Sequence, residues 1–103
     1  GPPQHVLRTW RIDASPHRAT VAFGGGTNDA FSALAAADGL VVATYNPGGA
    51  GLPARLPGYA DVWLALTVAD TEAPPTLEKV RRLAEHTEPL YACVVGGGLL
   101  ATG

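Results

Sequence analysis

Apolar and polar positions alternate in part over residues 5–12, HVLRTWRI, where Val6, Trp10 and Ile12 stand against Thr9 and Arg11. A period of two predicts a strand. DASPH at 13–17 is a turn in which Asp and Ser bond local backbone and Pro16 fixes φ. RATVAF at 18–23 reads as the returning strand, so the chain opens with a hairpin. GGGTN at 24–28 breaks that pattern and offers Thr27 or Asn28 as a helix N-cap, with Asp29 in the first turn.

Two readings compete for residues 28–45. Phe31, Leu34, Ala35, Asp38, Val41, Val42 and Tyr45 recur at helical steps, the stripe of an amphipathic helix with Asp38 at its centre. Against it, Gly39 in a helix interior costs about 1 kcal/mol relative to Ala, and Val41, Val42 and Thr44 favour strands. On propensity the break falls at Asp38-Gly39, with LVVATYN a strand.

Further on, the Gly- and Pro-rich stretch 46–58 is a loop. YADVWLALTV at 59–68 is apolar on both faces and reads as a central, covered strand. After ADTEAPP, the segment TLEKVRRLAEHTE at 76–88 shows a helical stripe of Leu77, Val80, Leu83 and Ala84, with Pro74-Pro75 at its entry and Pro89 at its end. LYACVV at 90–95 is a strand, GGG at 96–98 a turn or bulge, and LLAT a short last strand or extension. GGG at 24–26 lacks the spacing of a dinucleotide or phosphate loop and reads as a plain turn.

The 103 residues suit one domain over 3–103, with Gly1-Pro2 excluded as a possible tag scar. Seven Lys+Arg against nine Asp+Glu leave no basic footprint, so nucleic acid is not an expected partner. No apolar run approaches the roughly 18 residues of a membrane span, and no secretion signal is visible. A single cysteine, Cys93, excludes an internal disulfide and paired-cysteine zinc sites and suits the cytoplasm. His5, His17 and His86 are scattered, so neither a metal nor another cofactor is expected. The Ala, Gly, Pro and Arg content suggests a high-GC bacterial genome.

From Gly25 onward, about three-quarters of the chain resembles the OsmC/Ohr family of small dimeric thiol peroxidases. GGTNDAFSALAAADGLVVATYN resembles that family's Gly-Gly loop and central helix, DVWLALTV the strand before its second helix, and TLEKVRRLAEHTEPLYACVVGGG that helix, its Cys-Pro pair and the final strand. The resemblance favours the one-helix reading of 28–45. It implies an α+β fold, an antiparallel sheet with two helices in the order β-β-α-β-α-β, and an intertwined homodimer formed through the strand at 59–68 and the central helix. The runner-up is a ferredoxin-like β-α-β-β-α-β sandwich.

The departures from the family are chemical. Asp38 stands where the first reactive cysteine would be, and Glu88-Pro89 replaces the Cys-Pro pair. Cys93 lies beyond it in the next strand, more readily a buried hydrophobe than a nucleophile. A two-cysteine peroxidase needs an attacking thiolate and a resolving thiol, so that chemistry is not expected. Through the resemblance, Asp38 and Glu88 would be close and partly buried, with one pKa raised: a general acid/base pair. Tyr45 and Tyr91 would orient a substrate oxygen. The plainer reading makes Asp38 and Glu88 ordinary helix ends, His86 an exposed last-turn residue, Arg8, Arg11, Arg81 and Arg82 solvated faces, and Trp10 and Trp63 core or interface anchors. Two function classes follow: an acid/base enzyme (isomerase, cyclase, dehydratase or hydrolase) acting on a small organic molecule, or a non-catalytic dimeric module binding a ligand or partner.

Overall fold

The computed structural model describes residues 5–10, 19–24, 29–48, 56–66 and 75–103. Their elements run β1 (His5–Trp10), β2 (Ala19–Gly24), β3 (Ala30–Ala37), β4 (Leu40–Asn46), β5 (Tyr59–Leu66), β6 (Thr76–Leu83), β7 (Cys93–Gly96) and β8 (Leu99–Thr102). No helix occurs among the described residues. The α+β expectation is overturned, and the ferredoxin-like alternative with it: the described fold is all-β and antiparallel. Hairpins β1–β2 and β7–β8 accompany a four-stranded meander in the order β3-β4-β5-β6.

The expected helix at 28–45 is the β3–β4 hairpin, folded at Asp38-Gly39. Both turn residues have positive φ, 56° and 77°. A two-residue loop with that geometry matches the right-handed twist of its strands, and Asp-Gly is among the sequences that enter it at least cost. Ala35 faces Val42 and Ala36 faces Val41 across the ladder, where β-branched valine packs well. The stripe read as helical is mirror-symmetric about residue 38, as the two arms of a hairpin are. Phe31 and Leu34, three apart, share a face because the register slips between Phe31 and Ala33.

The second expected helix, 76–88, is strand β6 followed by irregular chain. Its register also slips, between Val62 and Trp63 of β5, so Trp63 pairs with Lys79 while Val62 pairs with Arg81. The extra residue, Val80, brings Lys79 and Arg82 to one face, a spacing a helix would also give. Strand β6 is an edge, and its charged residues suit that position because they discourage pairing with another chain.

The strand expected at 59–68 is β5 as far as the described residues extend, and it is the best-covered strand with β4. Val41 to Tyr45 and Tyr59 to Trp63 are all buried. On one face Val41, Ala43, Tyr45, Tyr59 and Trp63 pack with Leu7 of the first hairpin. On the other, Val42, Ala60 and Val62 pack with Cys93 and Leu100 of the last. With both faces covered, each strand can be apolar along its whole length. Of the strand expected to carry a homodimer contact, Tyr59 to Trp63 are buried within the chain and Leu66 is exposed. Burying each large side chain in these layers stabilises the fold by about 1.5–3 kcal/mol.

Gly24 closes β2 against this core. A Cβ there would stand 2.7 Å from Cη2 of Trp63 and overlap the Tyr45 hydroxyl, so the close approach requires glycine. The opening hairpin, the strand within 90–95 and the last strand agree with the sequence reading, as does the Gly-rich turn, where Gly97 and Gly98 have φ of 57° and 79°. The turn at 13–17, the caps at Thr27 and Asn28, and most of the 46–58 loop lie outside the described residues. No helix among the described residues is long and apolar enough to cross a membrane.

Candidate functional site

Asp38 and Glu88 are not brought together within the chain. Asp38 is exposed in the β3–β4 turn, two residues before Leu40. The Glu88 carbonyl accepts from the Gly58 N–H at 3.0 Å, one residue before Tyr59, which pairs with Tyr45. The two acids therefore sit at opposite ends of the β4–β5 ladder, separated by the rise from Leu40 to Tyr45, roughly 17 Å at 3.4 Å per residue. The helix that was to bury Asp38 is absent among the described residues, and a close, desolvated pair within one chain goes with it. Tyr91 is 70% exposed, whereas Tyr45 is buried at 1%. Cys93 is half-buried, its Sγ 3.9 Å from the Val42 carbonyl, and burial pushes its thiol up, away from the reactive thiolate. Among the described residues no three His, Cys, Asp or Glu gather as a metal site.

What the sheet does assemble is an aromatic row ending in a buried ion cluster. Phe31 meets Tyr45 edge-on at 6.0 Å, and Tyr45 stacks on Tyr59 at 5.7 Å. The Arg82 guanidinium covers Tyr59 at 4.3 Å. Arg82 also grips Asp61 as a fork, Nε to Oδ1 at 2.7 Å and Nη2 to Oδ2 at 3.2 Å. Lys79 Nζ lies 3.2 Å from Oδ2 and 5.5 Å from the centre of the Trp63 ring. Asp61 has no exposed surface, so its charge requires these partners. The Tyr59 hydroxyl donates to Asp29, placed just ahead of β3 rather than in a helix's first turn. Hydrogen bonding to Asp61 raises the affinity of Arg82 for its proton further, against the lowering effect of burial.

Beside this row, between β1 and β3, opens a cleft of about 350 Å³. Val6, Leu7, Arg8 and Trp10 of β1 and Phe31 and Leu34 of β3 line it, with Tyr45 between the layers. Trp10 and Leu34 keep about half their surface, at 50% and 51%, and Phe31 keeps 43%. These positions bring four exposed apolar residues, Val6, Trp10, Phe31 and Leu34, and one arginine to a single opening. The signal in the sequence was the partial alternation of residues 5–12, which leaves Val6, Arg8 and Trp10 exposed around the buried Leu7. Asp61 had a signal too, as the only charge within strand β5, which the reading of 59–68 as apolar on both faces passed over.

Among the described residues of this face, Tyr45 carries the largest titration shift. Burial first, then the negative charge of Asp61, push its hydroxyl up to about 12, with Arg82 acting in the opposite sense. Below pH 10 the phenol is protonated whether the chain is folded or not. Between about 10 and 12 the unfolded chain releases the proton and the folded one keeps it, so stability falls as pH rises, at up to about 1.4 kcal/mol per pH unit. Alkaline denaturation monitored by circular dichroism should show this loss, and Tyr45→Phe should flatten it. An unchanged slope in Tyr45→Phe would assign the alkaline limb to other groups.

No protein-family model, no curated protein and no solved structure matches this chain.

Proposed function

We propose that this chain is a non-catalytic binding module that takes a small, planar, anionic organic molecule into the cleft between β1 and β3. The observation that supports this reading is the exposure of Trp10, Phe31 and Leu34 on one opening of about 350 Å³, within the range of small-molecule sites. Two aromatic faces and a leucine suit a flat apolar body. Arg8, the one charged side chain among the described residues lining that cleft, suits a carboxylate, which its planar fork can bind through two parallel hydrogen bonds. The lone cysteine fits a reducing compartment such as the cytoplasm.

The experiment is a calorimetric titration with 2-naphthoate and with neutral 2-naphthamide. The carboxylate should bind at least about tenfold more weakly to Trp10→Ala, a loss of about 1.4 kcal/mol. Arg8→Gln should bring the carboxylate down to the affinity of the amide. Asp38→Asn should bind as the parent does. Binding that ignores Trp10→Ala and Leu34→Asp would rule this cleft out, and turnover of a substrate lost in Asp38→Asn would restore the acid/base reading.

A further inference from the structure

A second cleft, of about 490 Å³, lies between the end of β6 and the end of β8. Arg81, Arg82, Glu85 and His86 line it from one side and Thr102 from the other. We infer that it is a binding site for a phosphate-type oxyanion, free or carried on a small molecule. It shares no lining residue with the cleft between β1 and β3, so it does not depend on the function proposed above.

The charges favour an anion there conditionally. Arg82 is committed to Asp61 through two hydrogen bonds. Arg81 pairs with Val62 in the ladder, whose side chain packs towards the β7–β8 layer, so successive residues Arg81 and Arg82 serve opposite faces. That leaves Arg81 and Glu85 as one positive and one negative charge, with His86 deciding the balance. β8 brings no titratable side chain to the cleft. His86 Nε2 lies 2.5 Å from the Thr102 hydroxyl, which fixes the ring against β8. With one ring nitrogen engaged, protonation supplies a donor at the other as well as a charge. The site is thus neutral around a neutral imidazole and positive around an imidazolium. An oxyanion with several acceptor oxygens can take the Arg81 fork and the imidazolium N–H together.

The test follows the His86 ring signals by NMR while sodium sulfate replaces sodium chloride at constant ionic strength. Sulfate keeps its charge across the working range, so any pH dependence belongs to the protein. The expected result is a saturable shift whose affinity is at least about threefold higher at pH 5.5 than at pH 8, as a site that takes an anion beside a cationic ring requires. Arg81→Gln should weaken binding at pH 5.5 at least about fivefold, and Glu85→Gln should tighten it. Thr102→Val, which keeps the shape and removes the hydroxyl, should lower the affinity without unfolding the chain. A shift that grows linearly with sulfate, or saturation indifferent to Arg81→Gln, overturns the site. Inorganic phosphate and methyl phosphate then separate the sources. Tighter methyl phosphate binding marks an esterified ligand using the apolar wall of Leu83 and Ala84, and equal binding marks the free ion.

Discussion

Replacing Arg82 with alanine should destabilise the fold by about 3–5 kcal/mol, the usual cost of leaving a buried charge without its principal partner. Asp61 is wholly buried on β5, and the Arg82 fork meets both carboxylate oxygens. Of the two cations described on it, Lys79 would remain, an ammonium on a flexible stem at 3.2 Å with 38% of its side chain exposed. Truncating Lys79 instead should cost about 1 kcal/mol or less, as exposed ion pairs do. Arg82→Lys should not rescue, because lysine lacks both the planar fork and the flat face that lies on Tyr59. The companion variant Arg82→Ala with Asp61→Leu should recover most of the loss, since it removes the buried charge itself. Urea midpoints of the four variants decide the matter. Equal losses for Arg82→Ala and Lys79→Ala would mean that water or other groups already solvate Asp61.

The same cluster explains why β6 is a strand although its sequence suits a helix. Leucine, glutamate, lysine and arginine are all good helix formers, and Lys79 and Arg82 stand three apart. One β-bulge at Val80 gives that spacing a second meaning, bringing both cations to the face that holds Asp61. In β3 the slip after Phe31 does the same for Phe31 and Leu34. Each bulge turns a period of two into a local spacing of three, which periodicity alone cannot distinguish from a helix. Where no bulge interrupts, in β1, β2, β5 and β8, the strands were legible. The Asp38-Gly39 turn was legible as well: local propensity placed the break there, and only the resemblance outweighed it.

The candidate sites were less legible because they join residues distant in sequence. Trp10 and Leu34 line one cleft from two hairpins, and His86 meets Thr102 sixteen residues away. Their chemistry is ordinary, an indole, an aliphatic, an arginine and a histidine, with no motif spacing to mark them. The acids singled out from the sequence were chosen for a scaffold in which a helix and a Cys-Pro segment converge. In an antiparallel meander those positions mark the two ends of one strand pair.

Asn46→Ala should separate the two clefts. The Asn46 side chain acts as a strand partner for Leu90, its Nδ2 donating to the Leu90 carbonyl at 2.8 Å and its Oδ1 accepting the Leu90 N–H at 2.7 Å. Leu90 is 1% exposed, so both backbone groups would lose their partner away from water. At about 1–3 kcal/mol for each such group, the expected loss is about 2–4 kcal/mol after partial relaxation. Gly58 braces the same junction: its N–H holds the Glu88 carbonyl, and a Cβ there would lie 2.8 Å from the Leu90 nitrogen. The loss should be local, because the core beneath β1–β2 contains neither Leu90 nor Asn46. Hydrogen exchange should therefore speed up through β7 and β8 while β4 and β5 stay protected. Sulfate binding should weaken with it, since Thr102 rides on β8, whereas naphthoate binding between β1 and β3 should hold. Uniform loss of protection across all strands would show instead that the three layers unfold as one unit and that Asn46 serves the whole sheet.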